Sequence, residues 1–270
     1  MLKLPSNIKL SNRSSGFMKR WQDIIDQEPD YEAQISKAKK TWGKNNKTFD
    51  EVKAKLRLMS NSTYRCHYCE DSYSDEIEHI FPKDIYPEKT FVWVNYLYSC
   101  GPCNGPKSNQ FSLITAESQL LNVTPPRPLP PGHQFIRPPE LLPALINPRE
   151  EDPTQFIELD IIDTFRFVPL NNLGIVETLR AKFTIDLLRL NDREILIQSR
   201  KNAYGNYKAR LKEYVASKMD NATQAVLNEL IAGITMEVHP SVWFEMKRLQ
   251  GFIEELRDLF TQAPEALDWE

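Results

Sequence analysis

Four cysteines occur in this chain of 270 residues, and they form two C-x-x-C pairs. The first pair is Cys66 and Cys69, the second is Cys100 and Cys103, and 30 residues separate the two pairs. Thiolates at this spacing are typical ligands of a tetrahedral structural Zn²⁺ ion. A redox or disulfide role is the alternative, but a redox role would explain only one pair at a time. Disulfides are typical of secreted proteins, and the first residues of this chain lack the apolar core of a secretion signal. We therefore predict one structural zinc ion that all four thiolates bind.

Between the two cysteine pairs lie side chains that suit hydrolysis of a phosphodiester. Glu78 and His79 are adjacent, and Lys83 follows shortly after them. A histidine with an ordinary pKa of ~6.5 can take a proton from water near neutral pH. A carboxylate can help to hold a hard divalent ion such as Mg²⁺, which neutralises charge on the phosphate and keeps open positions for substrate oxygens. Glu76 or Asp75 could supply that carboxylate instead of Glu78.

The order of these residues resembles the HNH endonuclease family over about residues 64–110. The matching motifs are, in chain order, Cys66-His-Tyr-Cys69, Glu78-His79, Asn95 and Cys100-Gly-Pro-Cys103-Asn104-Gly-Pro-Lys107. The resemblance implies a ββα-metal unit, in which a β-hairpin is followed by a helix. Such a unit buries too little apolar surface to be stable alone, and this explains its need for zinc. The family more often has Asp where this chain has Glu78, so the longer side chain requires an adjusted metal geometry.

The same resemblance implies a role for each side chain. His79 is the general base, and Glu78 and Asn104 hold one catalytic Mg²⁺ or Mn²⁺ ion. Asn95 ties down the loop of the hairpin and orients His79. The side chains that contact substrate phosphates are Lys83 and Lys107. Because neighbouring residues of a strand point to opposite faces, Glu78 and His79 can serve one site only where the hairpin bends into its loop.

Further motifs extend the resemblance to about residues 64–205. They are Leu145-Ile-Asn147-Pro148-Arg-Glu-Glu-Asp152-Pro153 and Phe183-Thr-Ile-Asp186-Leu-Leu-Arg-Leu-Asn191. Together they resemble the HNH nuclease subunits of Septu and retron-associated antiphage systems. This resemblance implies a cytoplasmic defence nuclease that acts on nucleic acid, with DNA expected, and that works with an ABC/SMC-like ATPase. Two other classes remain open: a non-catalytic zinc-stapled nucleic-acid-binding or adaptor module, and a standalone restriction or homing nuclease, for which no base-reading module is recognisable.

The sequence pattern around these residues predicts an α+β fold that is mainly helical. We expect an N-terminal helical arm over residues 1–60, an HNH nuclease unit over 61–115, a proline-rich wrapping segment over 116–176 and a C-terminal helical region over 177–270. Apolar residues at helical spacing predict helices over residues 17–25, 31–42, 49–60, 178–190, 222–236 and 241–260. Asn191 is expected to cap a further long helix, with Glu194 at its third position.

Charge is unevenly distributed along the chain, whose net charge is −3. Residues 1–110 have 17 basic and 14 acidic side chains, whereas residues 111–270 have 17 and 23. The basic excess lies in the arm, at Lys37, Lys39, Lys40, Lys44, Lys47, Lys53, Lys55 and Arg57. This basic patch either attracts nucleic-acid phosphates or is a solvated helix face.

The acidic C-terminal helical region is expected to dock the protein partner rather than nucleic acid. Its Trp269 is expected either to anchor that interface or to pack on its own helices. No apolar run approaches the ~20 residues that span a bilayer, so the sequence predicts no membrane association and a cytoplasmic location.

Overall fold

The fold is α+β, and roughly half of the residues that the computed structural model describes are helical. Those residues are 1–43, 47–60, 64–71 and 73–269. The helices are α1 (Asn12–Asp26), α2 (Tyr31–Trp42), α3 (Lys47–Leu58), α4 (Gly101–Lys107), α5 (Ile175–Leu187), α6 (Glu194–Met219), α7 (Gln224–Thr235), α8 (Pro240–Leu249) and α9 (Glu254–Gln262). Single 3₁₀ turns lie at Pro87–Lys89, Trp93–Asn95, Pro153–Gln155 and Pro264–Asp268. Lys44 of the predicted basic patch lies outside the described residues.

The strands are short and pair antiparallel in three small sheets within the described ranges. They are β1 (Glu76–His79), β2 (Tyr96–Ser99), β3 (Ser112–Ile114), β4 (Leu120–Asn122), β5 (Leu142–Pro143), β6 (Ile157–Leu159) and β7 (Phe167–Pro169). β1 pairs with β2, β3 lies between β4 and β5, and β6 pairs with β7. In the first sheet Glu78 lies opposite Leu97, and His79 opposite Tyr96. Since α4 follows β2 directly, the chain runs strand, strand, helix at the segment that contains the cysteines.

Two helix predictions need correction. The first helix begins at Asn12 rather than Phe17, because the hydroxyl of Ser11 accepts a hydrogen bond from the amide of Ser14 and caps it there. The last predicted helix, over residues 241–260, is two helices, α8 and α9. Helix α8 ends at Leu249. Ile253 has an extended backbone and is the residue directly before α9.

The predicted capping role of Asn191 is also wrong. Helix α6 begins two residues beyond the expected start, and the extended residue before it is Arg193. The Asn191 amide instead bonds to the backbone of Phe167: Nδ2 donates to its carbonyl at 2.7 Å, and Oδ1 accepts from its amide at 2.9 Å. Asn191 therefore completes the hydrogen bonds of β7, as a neighbouring strand would.

One hydrophobic core joins the four predicted segments. Leu56 of the arm, Tyr96 of β2, Ile146 of the proline-rich segment and Leu196 of α6 are all buried and belong to the same cluster. Such burial is the main stabilising contribution to a fold. The cysteine segment is consequently packed on both sides by chain that is distant in sequence. Across the described ranges, no helix is long and apolar enough to cross a membrane.

Trp269 packs on its own helical region, the second of its two expected positions. Its ring lies 4.7 Å from that of Tyr214 and 6.4 Å from that of Trp243. Its carbonyl oxygen accepts hydrogen bonds from Trp243 at 3.2 Å and from Lys247 at 2.8 Å. Trp269 is therefore engaged within the chain and is not available as an interface anchor. The docking of a partner on the C-terminal helical region stays a proposal.

Candidate active site and metal centre

The predicted gathering of the four cysteines is confirmed. The Sγ atoms of Cys66, Cys69, Cys100 and Cys103 all lie within 4.8 Å of one another, and all four residues are buried and free of disulfides. Four sulfurs at ~2.3 Å from a tetrahedral Zn²⁺ are about 3.8 Å apart. The Sγ atoms of Cys69 and Cys100 lie 3.8 Å apart. The four cysteines could thus bind a zinc ion.

Local backbone structure brings the two cysteine pairs together. The first pair lies in a tight turn closed by the amide of Glu70, which donates to the Cys66 carbonyl at 2.8 Å. In the second pair, Cys100 is the residue before α4 and Cys103 lies in its first turn. Burial raises the pKa of the Cys66 thiol well above its usual value, so a cation is needed to keep this thiol ionised.

The C-terminal helical region reaches the cysteines directly. Nη2 of Arg193, just before α6, donates to Sγ of Cys103 at 3.1 Å. Beside the first pair, Asp71 accepts a hydrogen bond from the hydroxyl of Ser199 at 2.7 Å and lies 3.3 Å from the imidazole of His239. Both sides of the cysteine cluster are therefore attached to chain that lies 90 or more residues later in the sequence.

Glu78 faces α4, where it forms a buried ion pair with Lys107. The Lys107 side chain is 0% exposed, and its ammonium also donates to the carbonyl of His79 at 2.7 Å. Burial raises the pKa of the Glu78 carboxyl, and the positive charge of Lys107 opposes that shift. Because its ammonium is engaged inside the protein, the placement of Lys107 disfavours the predicted contact with a substrate phosphate.

Asn104 lies on α4, opposite the face of β1 that bears Glu78. Its Nδ2 donates to Oε2 of Glu76 at 2.5 Å, so the amide bonds to Glu76 rather than to Glu78. Residues two apart on a strand share a face, and this places both carboxylates towards α4. Glu76, which the sequence left open as an alternative acid, is therefore part of the same group.

His79 ends β1, and its imidazole lies between two aromatic rings. The ring of Trp42 is 4.2 Å away and that of Tyr96 is 5.2 Å away, both edge to face. Nε2 lies 2.9 Å from the carbonyl oxygen of Thr90. A carbonyl can only accept, so Nε2 carries the hydrogen and Nδ1 is the nitrogen that can take a proton. Burial, followed by the nearby charge of Lys83, lowers the pKa of His79 to about 3, and the ring is neutral at pH 7.

Asn95 closes the loop between β1 and β2. Its Oδ1 accepts from the amide of Phe81 at 2.8 Å, and its Nδ2 donates to the carbonyls of Phe81 at 3.0 Å and Lys89 at 2.9 Å. That loop contains Thr90, which holds the His79 ring. Asn95 thus acts on His79 through the loop backbone and does not need to touch the imidazole.

A cleft of about 360 Å³ brings most of the predicted site residues together. Its walls include Glu78, His79, Lys83 and Asn104, whereas Asn95 and Lys107 are not in the described lining. The walls also include Glu76, which the sequence offered only as an alternative to Glu78. Three further wall residues were not predicted from the sequence: Trp42, Asp84 and Arg127. Trp42 and Arg127 come from the arm and the proline-rich segment, and they show no motif that would place them here.

Comparison with known proteins gives one informative similarity. The chain is 28% identical over 160 residues to the Septu protein PtuB of Bacillus thuringiensis. The match covers 57% of this chain and 48% of that protein, so the chain spans about half the length of the curated relative. No family model matches the chain.

Proposed function

We propose that this chain is a metal-dependent nuclease that hydrolyses phosphodiester bonds, with DNA as the expected substrate. The observation that carries the proposal is the cleft, where a histidine with its Nε2 fixed lies beside carboxylate and amide side chains on β1 and α4. These are the two kinds of group that phosphodiester hydrolysis needs, a proton acceptor and oxygen ligands for a divalent ion.

The oxygen ligands fit Mg²⁺ or Mn²⁺. Both ions prefer oxygen, and Mg²⁺ is commonly held by one or two carboxylates with its remaining positions filled by water or substrate. Glu78 and Asn104 would hold the ion, and Glu76, which accepts a hydrogen bond from Asn104, is a further carboxylate in the cleft. Because Nδ2 of Asn104 already donates to Glu76, Oδ1 is the atom left for a cation. When bound, the ion would stabilise negative charge on the phosphoryl group.

His79 acts as the general base in this proposal. Because burial holds its pKa at about 3 in the free protein, the negative charge of the bound phosphate would have to stabilise the protonated ring. Its hydrogen bond to the Thr90 carbonyl fixes the tautomer and leaves Nδ1 to accept a proton from the attacking water. Trp42 and Tyr96 restrict rotation of the ring. The Asn95 contacts restrain the loop backbone that bears Thr90. The base is thereby oriented by the protein before the substrate binds, which is how positioned groups lower a reaction barrier.

We further propose a role in antiphage defence of the Septu type, in the cytoplasm and together with an ABC/SMC-like ATPase. The similarity to a Septu protein supports this role, and so do the motifs that extend beyond the cysteine segment. The zinc ion would stabilise the nuclease unit, and the C-terminal helical region is where the partner would dock.

Cleavage assays on the purified zinc-containing protein test the nuclease proposal. Supercoiled plasmid, linear duplex, single-stranded DNA and RNA are each incubated with Mg²⁺, with Mn²⁺ and with a chelator, alone and with the cognate ATPase. We expect cleavage that requires a divalent ion. We also expect loss of cleavage in Glu78→Gln at a temperature where its zinc content and its thermal melting curve show it to be folded, since this change also removes the partner of Lys107. The matched control is Glu117→Gln, on an exposed turn. Binding without cleavage under every condition would favour the non-catalytic module instead.

A further inference from the structure

Three segments that are distant in the sequence bring positive charges to one edge of the cleft, its cationic rim. Lys83 and Arg127 line the cleft, and Lys39 lies just outside the described lining, against the wall residue Asp84. Lys39 belongs to α2, Lys83 to the loop after β1, and Arg127 to the proline-rich segment. All three surround one carboxylate. From Asp84, Nζ of Lys39 lies 3.6 Å away, Nζ of Lys83 lies 3.9 Å away, and Nη2 of Arg127 lies 3.2 Å away. Within this cluster of described residues, positive charge exceeds negative charge by two.

A purely structural role does not account for this cluster. The side chains of Lys39, Lys83 and Arg127 are 44%, 30% and 63% exposed, and exposed ion pairs contribute little to stability. A single cation would also be enough to neutralise Asp84. Three cations that remain accessible to solvent, with an unbalanced charge, are instead what attracts an anion.

The charge of the cleft wall changes along the chain. Glu76 and Glu78 lie at the β1 end, where α4 supplies Asn104. The chain then passes His79 and reaches the cationic rim at Lys83. A divalent cation suits the acidic end, and a phosphate suits the basic end. A nucleic-acid strand suits both ends, since its phosphates repeat along the backbone: one can lie beside the cation at the acidic end and the next at the basic end.

The proline-rich segment holds Arg127 against the rim. A second arginine of that segment, Arg137, lies 3.1 Å from Glu88 and donates to Gln34 of α2 at 2.8 Å. Its guanidinium also lies over the ring of Tyr31, 4.7 Å from the centroid. The segment is therefore attached to α2 independently of Arg127, and the N–H groups of Arg127 that do not donate to Asp84 remain for a phosphate.

We propose that Lys39, Lys83 and Arg127 form a phosphate-binding rim, which holds a backbone phosphate of the nucleic-acid strand adjacent to the bond that is cut. The assignment of that strand as substrate rests on the proposed nuclease function. Binding of the strand by the rim does not depend on cleavage. The rim takes the role that the sequence assigned in part to Lys107, whose ammonium is buried.

Binding is measured in a His79→Ala background with chelator present, so that no cleavage interferes. The probe is a fluorescein-labelled single-stranded DNA oligonucleotide, and its anisotropy is followed over a series of salt concentrations. The rim variant is Lys39→Gln with Arg127→Gln. The matched control is Lys208→Gln with Lys212→Gln, which removes the same charge from two side chains of α6 that share the carboxylate Glu255. Zinc content and melting temperature establish that each variant is folded.

We expect the rim variant to bind at least tenfold more weakly than its background at moderate salt. Its slope of log affinity against log salt should be shallower by about 0.7–1.4, since each lost phosphate contact on a single strand contributes about 0.7. The control should match the background in both quantities. A rim variant that binds as the control does overturns the rim. If the unmutated protein cleaves nothing while the rim variant still loses affinity, the rim stands and the nuclease proposal fails.

Discussion

At the scale of single residues, the buried pair of Glu78 and Lys107 is the feature whose removal has the clearest energetic consequence. Lys107→Met leaves the Glu78 carboxylate buried without its partner. Removing one member of a buried pair costs on the order of 3–5 kcal/mol. We therefore expect Lys107→Met to lower the free energy of unfolding by about that amount in chemical denaturation, whereas exposed Lys53→Met should change it by less than about 0.5 kcal/mol.

A double mutant separates the pair from general damage to packing. Lys107→Met combined with Glu78→Gln should be less destabilised than the sum of the single variants, with a coupling on the order of 1–3 kcal/mol. Strictly additive effects would show that the two side chains do not stabilise each other, and would remove Lys107 as the residue that positions Glu78.

Residue chemistry was the part of the site most open to prediction. The cysteine spacing predicted four clustered thiols that could bind a metal ion, because four thiols with two short spacings have few other uses. The adjacent Glu78 and His79 lie in the same cleft as Asn104. Trp42 was not predicted, since an aromatic residue at helical spacing is ordinarily a core residue. Its contact with His79 depends on how α2 packs against β1, which no local pattern specifies.

At the scale of elements, Arg193 links the start of α6 to the cysteine cluster. Hydrogen bonds to metal ligands stabilise their charge, and losing one typically weakens metal binding by about 10–100-fold. Arg193→Gln should therefore release zinc to a chromogenic chelator faster, and bind it more weakly by about that factor. The matched control is Arg189→Gln, whose exposed side chain pairs with Asp192. Equal zinc affinities in the two variants would show that Arg193 does not stabilise the zinc thiolates.

Helix boundaries were predictable where the capping side chain bonds to its own helix. They were missed where that side chain bonds to a residue that is distant in the sequence. Helix α2 was expected at residues 31–42, where the structure has it, because its apolar spacing and the capping Asp30 are local signals. Asn191 has an equally good local pattern for a cap, yet its amide bonds to Phe167, which is 24 residues earlier. Among the described residues β7 pairs with β6 alone, and the need to satisfy its remaining backbone groups outweighed the local preference.

At the scale of the whole molecule, the shared core predicts cooperative unfolding. Leu196→Ala in α6 opens a cavity in the cluster that also contains Leu56 of the arm, and such changes cost about 2–5 kcal/mol. Hydrogen exchange by global opening should therefore accelerate equally in α3 and in α6 of the zinc-saturated variant. Faster exchange confined to α6 would show that the C-terminal helical region unfolds independently. The C-terminal helical region would then be a separate domain from the part of the chain that forms the cleft.

The cleft is lined by segments that sequence patterns treat as separate. The arm supplies Trp42 and the proline-rich segment supplies Arg127, so the cleft is completed by chain on both sides of the cysteine segment. The sequence predicted a self-contained nuclease unit over residues 61–115 with accessory segments around it. Because the wall residues outside that unit act only through tertiary contacts, their participation could not be deduced from spacing.

The most direct test of the central claim compares cleavage by His79→Ala with cleavage by His133→Ala. Both variants lose one imidazole, but His133 lies in the proline-rich segment outside the described lining of the cleft. Single-turnover rates are measured with Mg²⁺ on the substrate that the unmutated protein cuts, at equal zinc content. Removal of a general base typically slows a reaction by about 10²–10⁴-fold, and we predict that loss for His79→Ala and an unchanged rate for His133→Ala. Cleavage by His79→Ala at the rate of the unmutated protein would contradict the proposed mechanism.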